Sequence, residues 1–148
     1  MTGLMETFIQ NRTMVQPHHA NNLQTAHGGN VLKWMDEVGA MSAARFAGNS
    51  CVTAHINQVD FERPIQVGDT ALIEAYVYEA GRTSVHVRLK TDREDLRTGE
   101  RETATESYFV YVAIDDDLKP TSVPELTVDT ADGERLHDAA VAGNGSSA

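Results

Sequence analysis

His27-Gly28-Gly29-Asn30-Val31-Leu32-Lys33-Trp34-Met35-Asp36-Glu37, continued by Val38-Gly39-Ala40-Met41-Ser42-Ala43-Ala44-Arg45-Phe46, is the stretch that decides how this chain folds. Val31, Met35, Val38 and Ser42 recur at helical spacing and form one stripe, flanked by Leu32, Gly39, Ala43 and Phe46. Gly28-Gly29 opens this helix, and Gly48-Asn49 ends it, because glycine and asparagine tolerate the left-handed turn that stops a helix. Gly39, Ala40, Ser42, Ala43 and Ala44 are small enough to let another layer approach closely. Charge is sparse after Glu37, so the pattern predicts a helix buried on several sides.

The segments on either side read as strands. Leu4 to Val15 is a first strand, ended by Pro17, and His18 to Gln24 is a polar connector. Cys51 to Phe61 is rich in β-formers, with Val52, Ala54 and Ile56 in alternation and a shift of phase near Gln58 that predicts a bulge. Arg63-Pro64 and Gly68-Asp69 mark turns, Thr70 to Glu79 a third strand, and Gly81-Arg82 the next turn. From Thr83 to Thr91, Val85, Val87 and Leu89 alternate with Ser84, His86, Arg88 and Lys90. Asp92 to Thr98 reads as a charged hairpin loop and Glu100 to Ile114 as a long last strand. Strand, helix and four strands with short turns predict an α+β domain: a five-stranded antiparallel sheet with one central helix. The domain is expected over residues 1–124. An acidic, proline-punctuated extension follows over residues 125–148, with disorder expected over Ala142–Ala148. One helix leaves much sheet edge open, which favours pairing with a second copy.

Composition narrows the function classes. The chain has 148 residues, enough for one domain with a core, and carries 22 acidic against 12 basic side chains, a net charge of -10. That balance argues against nucleic acid as a partner, which wants a basic footprint. No apolar run reaches membrane length, no signal peptide is visible at Met1 to Arg12, and the lone Cys51 builds no disulfide framework; the expected location is the cytoplasm, with no membrane partner. Lysines are only Lys33, Lys90 and Lys119, and such an acidic, lysine-poor surface is consistent with a salt-rich (halophilic) cytoplasm as well as an ordinary one. His18, His19, His27, His55 and His86 show no ligand spacing, so no metal is expected.

Four ordered pieces carry a resemblance. Asn21-x-x-x-Thr25-x-His27-Gly28-Gly29 precedes Leu32-x-x-Met35-Asp36-Glu37. Val52-Thr53-Ala54 precedes Val59-Asp60-Phe61-x-x-Pro64-Ile65-x-Val67-Gly68-Asp69. Gly81-Arg82-Thr83-Ser84-x-x-Val87 and Tyr108-Phe109-Val110-Tyr111-Val112-Ala113 follow. In this order they resemble the hotdog-fold acyl-CoA thioesterases (the acyl-CoA hydrolase group), from about Met14 to about Pro124. Gln24 and His27 depart from the pattern, standing where relatives often have Gly and Phe. The resemblance implies a curved antiparallel sheet wrapped around the long helix. It also implies a homodimer with a continuous sheet as the minimal active unit, often a trimer of dimers (a hexamer), with acyl-CoA as substrate and a site at the subunit interface.

Thioester hydrolysis needs an activated water or nucleophile, a donor for the developing oxyanion, and a grip on CoA; it needs no further cofactor. Gly29 is the candidate oxyanion donor, because the first turn of a helix has free N–H groups and a positive dipole end. Asp36 is the candidate general base or nucleophile. It lies seven residues beyond Gly29, roughly 10 Å along the axis, too far to share one carbonyl with the Gly29 of its own chain. A second subunit would have to bring its Gly29 to Asp36. Asn21 and Thr25 are candidates to orient water or the carbonyl. Arg82, Thr83, Ser84, Arg63 and Thr53 are candidates for the CoA site, against plain turn or packing roles. The alternatives to a hydrolase are a non-catalytic acyl-CoA-sensing module and a hotdog hydratase. The first would not need Asp36, and the second wants an Asp-His pair that shows no matching spacing here.

Overall fold

The computed structural model describes residues 2–145. Helix α1 runs over Gly28–Ala47, and Gly48 ends it at φ 71°. The main sheet is built of β2 (Ile9–Met14), β3 (Cys51–Ile56), β4 (Thr70–Ala80), β5 (Ser84–Glu94) and β6 (Arg101–Ala113), all antiparallel, in the order β2-β4-β5-β6-β3. β1 (Thr2–Gly3) and β7 (Leu126–Thr127) form a separate parallel pair, and α2 spans Ala131–Gly145.

The predicted stripe of α1 is the buried one. Val31, Met35, Val38, Gly39, Ser42, Ala43 and Phe46 are buried, joined by Ala47. They pack on the inward phase of three strands: Ala71, Ile73, Ala75 and Val77 of β4, Val85, Val87 and Leu89 of β5, and Phe109, Tyr111 and Ala113 of β6. Each large apolar side chain removed from water here contributes roughly 1.5–3 kcal/mol before entropy is counted. Met41 and Arg45 stay exposed, so one side of α1 faces solvent in the single chain.

Several boundaries differ from the sequence reading, each for a tertiary reason. The first strand starts at Ile9, because Leu4–Thr7 forms a 3-10 turn whose Leu4 and Thr7 are buried. The Thr7 hydroxyl donates to the Leu4 carbonyl at 2.6 Å and accepts the Val77 N–H at 2.9 Å, beside a bulge in β4; its own carbonyl accepts the Ser42 hydroxyl at 2.8 Å. The turn thus plugs the seam between α1 and β4. β3 stops at Ile56 and its bulge falls between Thr53 and His55, not near Gln58. Beyond it the Asn57 and Gln58 carbonyls accept the Ser107 hydroxyl, which draws the chain off the sheet. β5 runs on to Glu94, whose carboxylate is held by Arg12 and Arg101, both at 2.9 Å.

The sequence reading contains no second helix. α2 covers the outer sheet face, where Tyr76, Tyr78 and Ala140 are buried with Leu4, and Phe8, Tyr108 and Leu136 pack around them. The Tyr76 hydroxyl donates to the Leu136 carbonyl at 2.6 Å. Its start is legible in hindsight: the Thr130 hydroxyl caps the Gly133 N–H at 2.9 Å, and Asp132 and Glu134 sit in the first turn, where the helix dipole favours them. Of the disorder expected over Ala142–Ala148, Ala142 to Gly145 instead continue α2, and 146–148 lie outside the described residues.

Ala140→Glu should undock α2, since a carboxylate forced into this fully buried, closely packed site is costly to desolvate. Hydrogen exchange should then accelerate over residues 131–145, while α1 and β5 keep their protection. Unchanged protection in α2 would show that its docking does not depend on this contact.

Candidate functional site

Asp36 projects from α1 toward the β6–β3 edge of the sheet. The Thr53 hydroxyl donates to its Oδ1 at 2.6 Å. The Tyr111 hydroxyl reaches the same oxygen at 3.0 Å and the Asp36 carbonyl oxygen at 3.0 Å. Oδ2 accepts no hydrogen bond among the described residues. Thr53 and Tyr111 are cross-strand partners, so the β3–β6 register brings both donors to one carboxylate. Tyr111 is fully buried, and burial first, then the neighbouring carboxylate, pushes its phenol well above the ordinary range. It therefore stays protonated and donates. The sequence reading did not single out Tyr111; the available signal was a tyrosine in the inward phase of β6, where a buried hydroxyl needs an acceptor.

The start of α1 is the second part. The Asn30 and Val31 N–H groups both bond to the His27 carbonyl, at 3.0 and 3.1 Å. The Gly28 and Gly29 N–H groups have no acceptor among the described residues. They are the unpaired donors every helix start leaves, at its positive end. Gly29 is exposed, with nothing within 4 Å of where a Cβ would stand, whereas a Cβ on Gly28 would come within 3.2 Å of the Phe61 ring. Beside Gly28 lies a cavity of about 300 Å³, lined mainly by Val31, Phe61, Pro64, Ile65 and Ala104, with Thr25 at its wall.

The preceding loop is tied to itself. Asn21 Oδ1 accepts the Leu23 N–H at 2.9 Å and the Thr25 N–H at 3.2 Å, and the Asn21 amide meets the Thr25 hydroxyl at 2.9 Å. Gln24 takes φ 62°, the left-handed conformation that a glycine adopts freely, so the departure from the family pattern is carried as local strain. Asn21 is thus tied to Thr25, which shares the wall of the cavity with Gly28.

The other predicted residues fall in two places. Ser84 and Val52 both pair with Val112, one step from the row of Thr53, Tyr111 and Val85. The Arg82–Ser84 turn therefore lies at the Asp36 end of the sheet. There Arg82 and Thr83 border an open cleft of about 490 Å³ with Pro120, Thr121 and Ser122. The Arg82 guanidinium is exposed and has no partner among the described residues. Arg63 is engaged instead: its guanidinium donates to the Thr103 carbonyl at 2.8 Å and pairs with Glu102 at 3.2 Å. Among the described residues no group of three or more His, Cys, Asp or Glu converges as a metal site would require.

The family model of the thioesterase superfamily matches residues 23–100. YkhA of Bacillus subtilis (strain 168), an uncharacterized acyl-CoA thioester hydrolase, is 37% identical over 136 residues, covering 92% of this chain and 79% of that one. An acyl-CoA hydrolase from Staphylococcus aureus, solved with butyryl-CoA, CoA and CoA disulfide, superposes with a TM-score of 0.86 at 31% identity, over 94% of this chain and 85% of that one. It has also been solved with an asparagine, an aspartate or a threonine replaced by alanine, and the three positions are spaced along that chain as Asn21, Asp36 and Thr53 are along this one. A hexameric acyl-CoA thioesterase matches with a TM-score of 0.86 at 35% identity, over 96% of this chain and 92% of that one. With the five-stranded sheet, the long central helix and these relatives together, the chain belongs to the thioesterase superfamily, among its hotdog-fold acyl-CoA thioester hydrolases.

Proposed function

We propose that this chain hydrolyses acyl-CoA thioesters at a site shared between two subunits, with Asp36 from one and the Gly29 N–H from the other. Asp36 either takes a proton from the attacking water or attacks the carbonyl itself, giving an acyl-aspartyl anhydride that water then opens. In both routes a C–O bond forms and the C–S bond breaks, and the CoA thiolate leaves and is protonated. The Gly29 N–H receives the oxyanion in the intermediate. Asn21 and Thr25 hold the loop that presents this donor. Water is the only co-reactant.

The observation that carries the reading is the 2.6 Å hydrogen bond from Thr53 to Asp36. It puts the carboxylate beside β3, which is an edge strand with Val52 and Ile56 exposed at 46% and 37%. An apolar, unpaired edge is a template for a second strand. Edge pairing across a two-fold axis would set one subunit's Asp36 against the other's helix start. Three such dimers would make a hexamer, the state of one acyl-CoA thioesterase relative. Thr53, counted among the CoA contacts from sequence, is assigned to hold Asp36. Arg82, Thr83 and Ser84 are assigned to the CoA phosphates or pantetheine. Arg63 would meet a phosphate with part of its charge already offset by Glu102. The substrate class is supported by the butyryl-CoA complex of the Staphylococcus aureus relative.

Four outcomes are expected, all read by thiol release from a panel of acyl-CoAs. Asp36→Asn should lower kcat by at least about a hundredfold; an undiminished rate would remove Asp36 from the mechanism. Arg82→Ala should raise KM about tenfold and leave kcat within about twofold; an unchanged KM would take Arg82 out of the CoA site. Gly29→Pro deletes the N–H at a helix start, where proline is tolerated, and should also inactivate. Asp36→Asn and Gly29→Pro subunits, unfolded and refolded together, should regain about a quarter of the wild-type activity, since half the random dimers then hold one intact site of two. No recovery in properly assembled mixtures would place both groups in one chain.

A further inference from the structure

We infer that Tyr111 is a positioning residue for the Asp36 carboxylate, and that Gly39 is glycine because the Tyr111 hydroxyl occupies the space its side chain would fill. The inference rests on the reading of Asp36 as base or nucleophile.

Tyr111 stands between Phe109 and Ala113 in the apolar phase of β6, wholly buried. A phenylalanine would fill that phase without bringing a polar atom into the core. The hydroxyl is instead shared between two oxygens of one residue, the Asp36 carbonyl and Oδ1, each at 3.0 Å. One proton donor thereby ties the side chain of Asp36 to its own backbone. Gly39 lies one turn further along α1. A Cβ there would collide with the Tyr111 hydroxyl oxygen and stand 3.0 Å from Leu89 Cδ1. The hydroxyl can reach Asp36 only because that side chain is missing.

The chemical consequence falls on the second carboxylate oxygen. With Thr53 and Tyr111 both donating to Oδ1, rotation of the carboxylate would break two hydrogen bonds, and Oδ2 is left as the free oxygen. Oδ2 is thus the atom placed to take the water proton or to attack the carbonyl. The groups that meet the carboxylate from the elements packed on it are Thr53 of β3 and Tyr111 of β6. Cys51, on β3 and close to Tyr111, keeps its proton, burial having pushed its thiol up to about 11. Lys33 and Glu37, on the same helix as Asp36, are exposed.

The test compares Tyr111→Phe, Asp36→Asn and wild type in the full chain, by thiol release from butyryl-CoA and longer acyl-CoAs, with kcat and KM read separately. Tyr111→Phe should lower kcat about tenfold with KM within about twofold, the scale of one hydrogen bond to a charged group. A purely structural tyrosine would lower the melting temperature and leave kcat and KM unmoved, and that result would overturn the inference. Gly39→Ala alone should lose stability and rate; adding Tyr111→Phe to it should restore part of the stability and none of the rate. Full activity in Gly39→Ala would equally overturn it. If Asp36→Asn abolishes release while Tyr111→Phe keeps the wild-type kcat, only the role of Tyr111 falls. If Asp36→Asn keeps its rate, the reading of Asp36 falls and this inference with it.

Discussion

A helix can lie against a sheet only as closely as its facing side chains allow, and in this chain that limit is set at Gly39. With no Cβ at this turn, α1 meets Leu89 and Tyr111 at contact distance. The rest follows from that approach. Met35 and Val38 on the preceding turn are sealed to 0% and 2% exposure, and Ser42 on the next reaches the Thr7 carbonyl. The Thr7 hydroxyl in turn accepts the Val77 N–H, so the N-terminal turn, the helix and β4 are locked together through one residue. The same approach brings Asp36 within reach of a strand residue seventy-five positions away in sequence. Close packing and the placing of the carboxylate are therefore one event.

Residues whose environment repeats with the period of their own element were readable in advance. The buried face of α1 coincides with the stripe through Val31, Met35, Val38 and Ser42, and the alternation in β5 names the side chains that face the helix. Residues whose environment is set by another element were not readable. Asn57 to Phe61 contains good strand formers, yet Ser107 captures two of its carbonyls and Phe61 folds over Gly28, so the strand ends early. α2 has weak amphipathicity because its partners are tyrosines on the outer sheet face, and only its capping threonine marks it locally.

The site divides along the same line. The helix start with its unpaired N–H groups was legible because it is a local property, whereas Asp36 alone reads as an ordinary helix carboxylate and became a candidate through the family resemblance. Thr53 was visible as a strand residue, but its bond to Asp36 depends on the β3–β6 register and on a bulge that the sequence reading put elsewhere. Arg63 looked equivalent to Arg82 in sequence. The fold separates them, committing one guanidinium to Glu102 and Thr103 and leaving the other open.

That difference bears on how an acidic protein holds a polyanion. At a net charge of -10 the long-range field repels CoA, so attraction has to come from a cation whose charge is not already spent. Arg12, Arg63, Arg88, Arg93 and Arg101 each stand in an ion pair with Glu or Asp. Arg82 does not, and it sits at the sheet end that carries Asp36. At a Debye length of about 8 Å in physiological salt, the repulsion of distant carboxylates is screened while a phosphate in contact with Arg82 is not. On the CoA role proposed for Arg82, recognition is a matter of placement: Arg12, Arg63, Arg88, Arg93 and Arg101 spend their charge on carboxylates, and Arg82 is left open at the sheet end that carries Asp36.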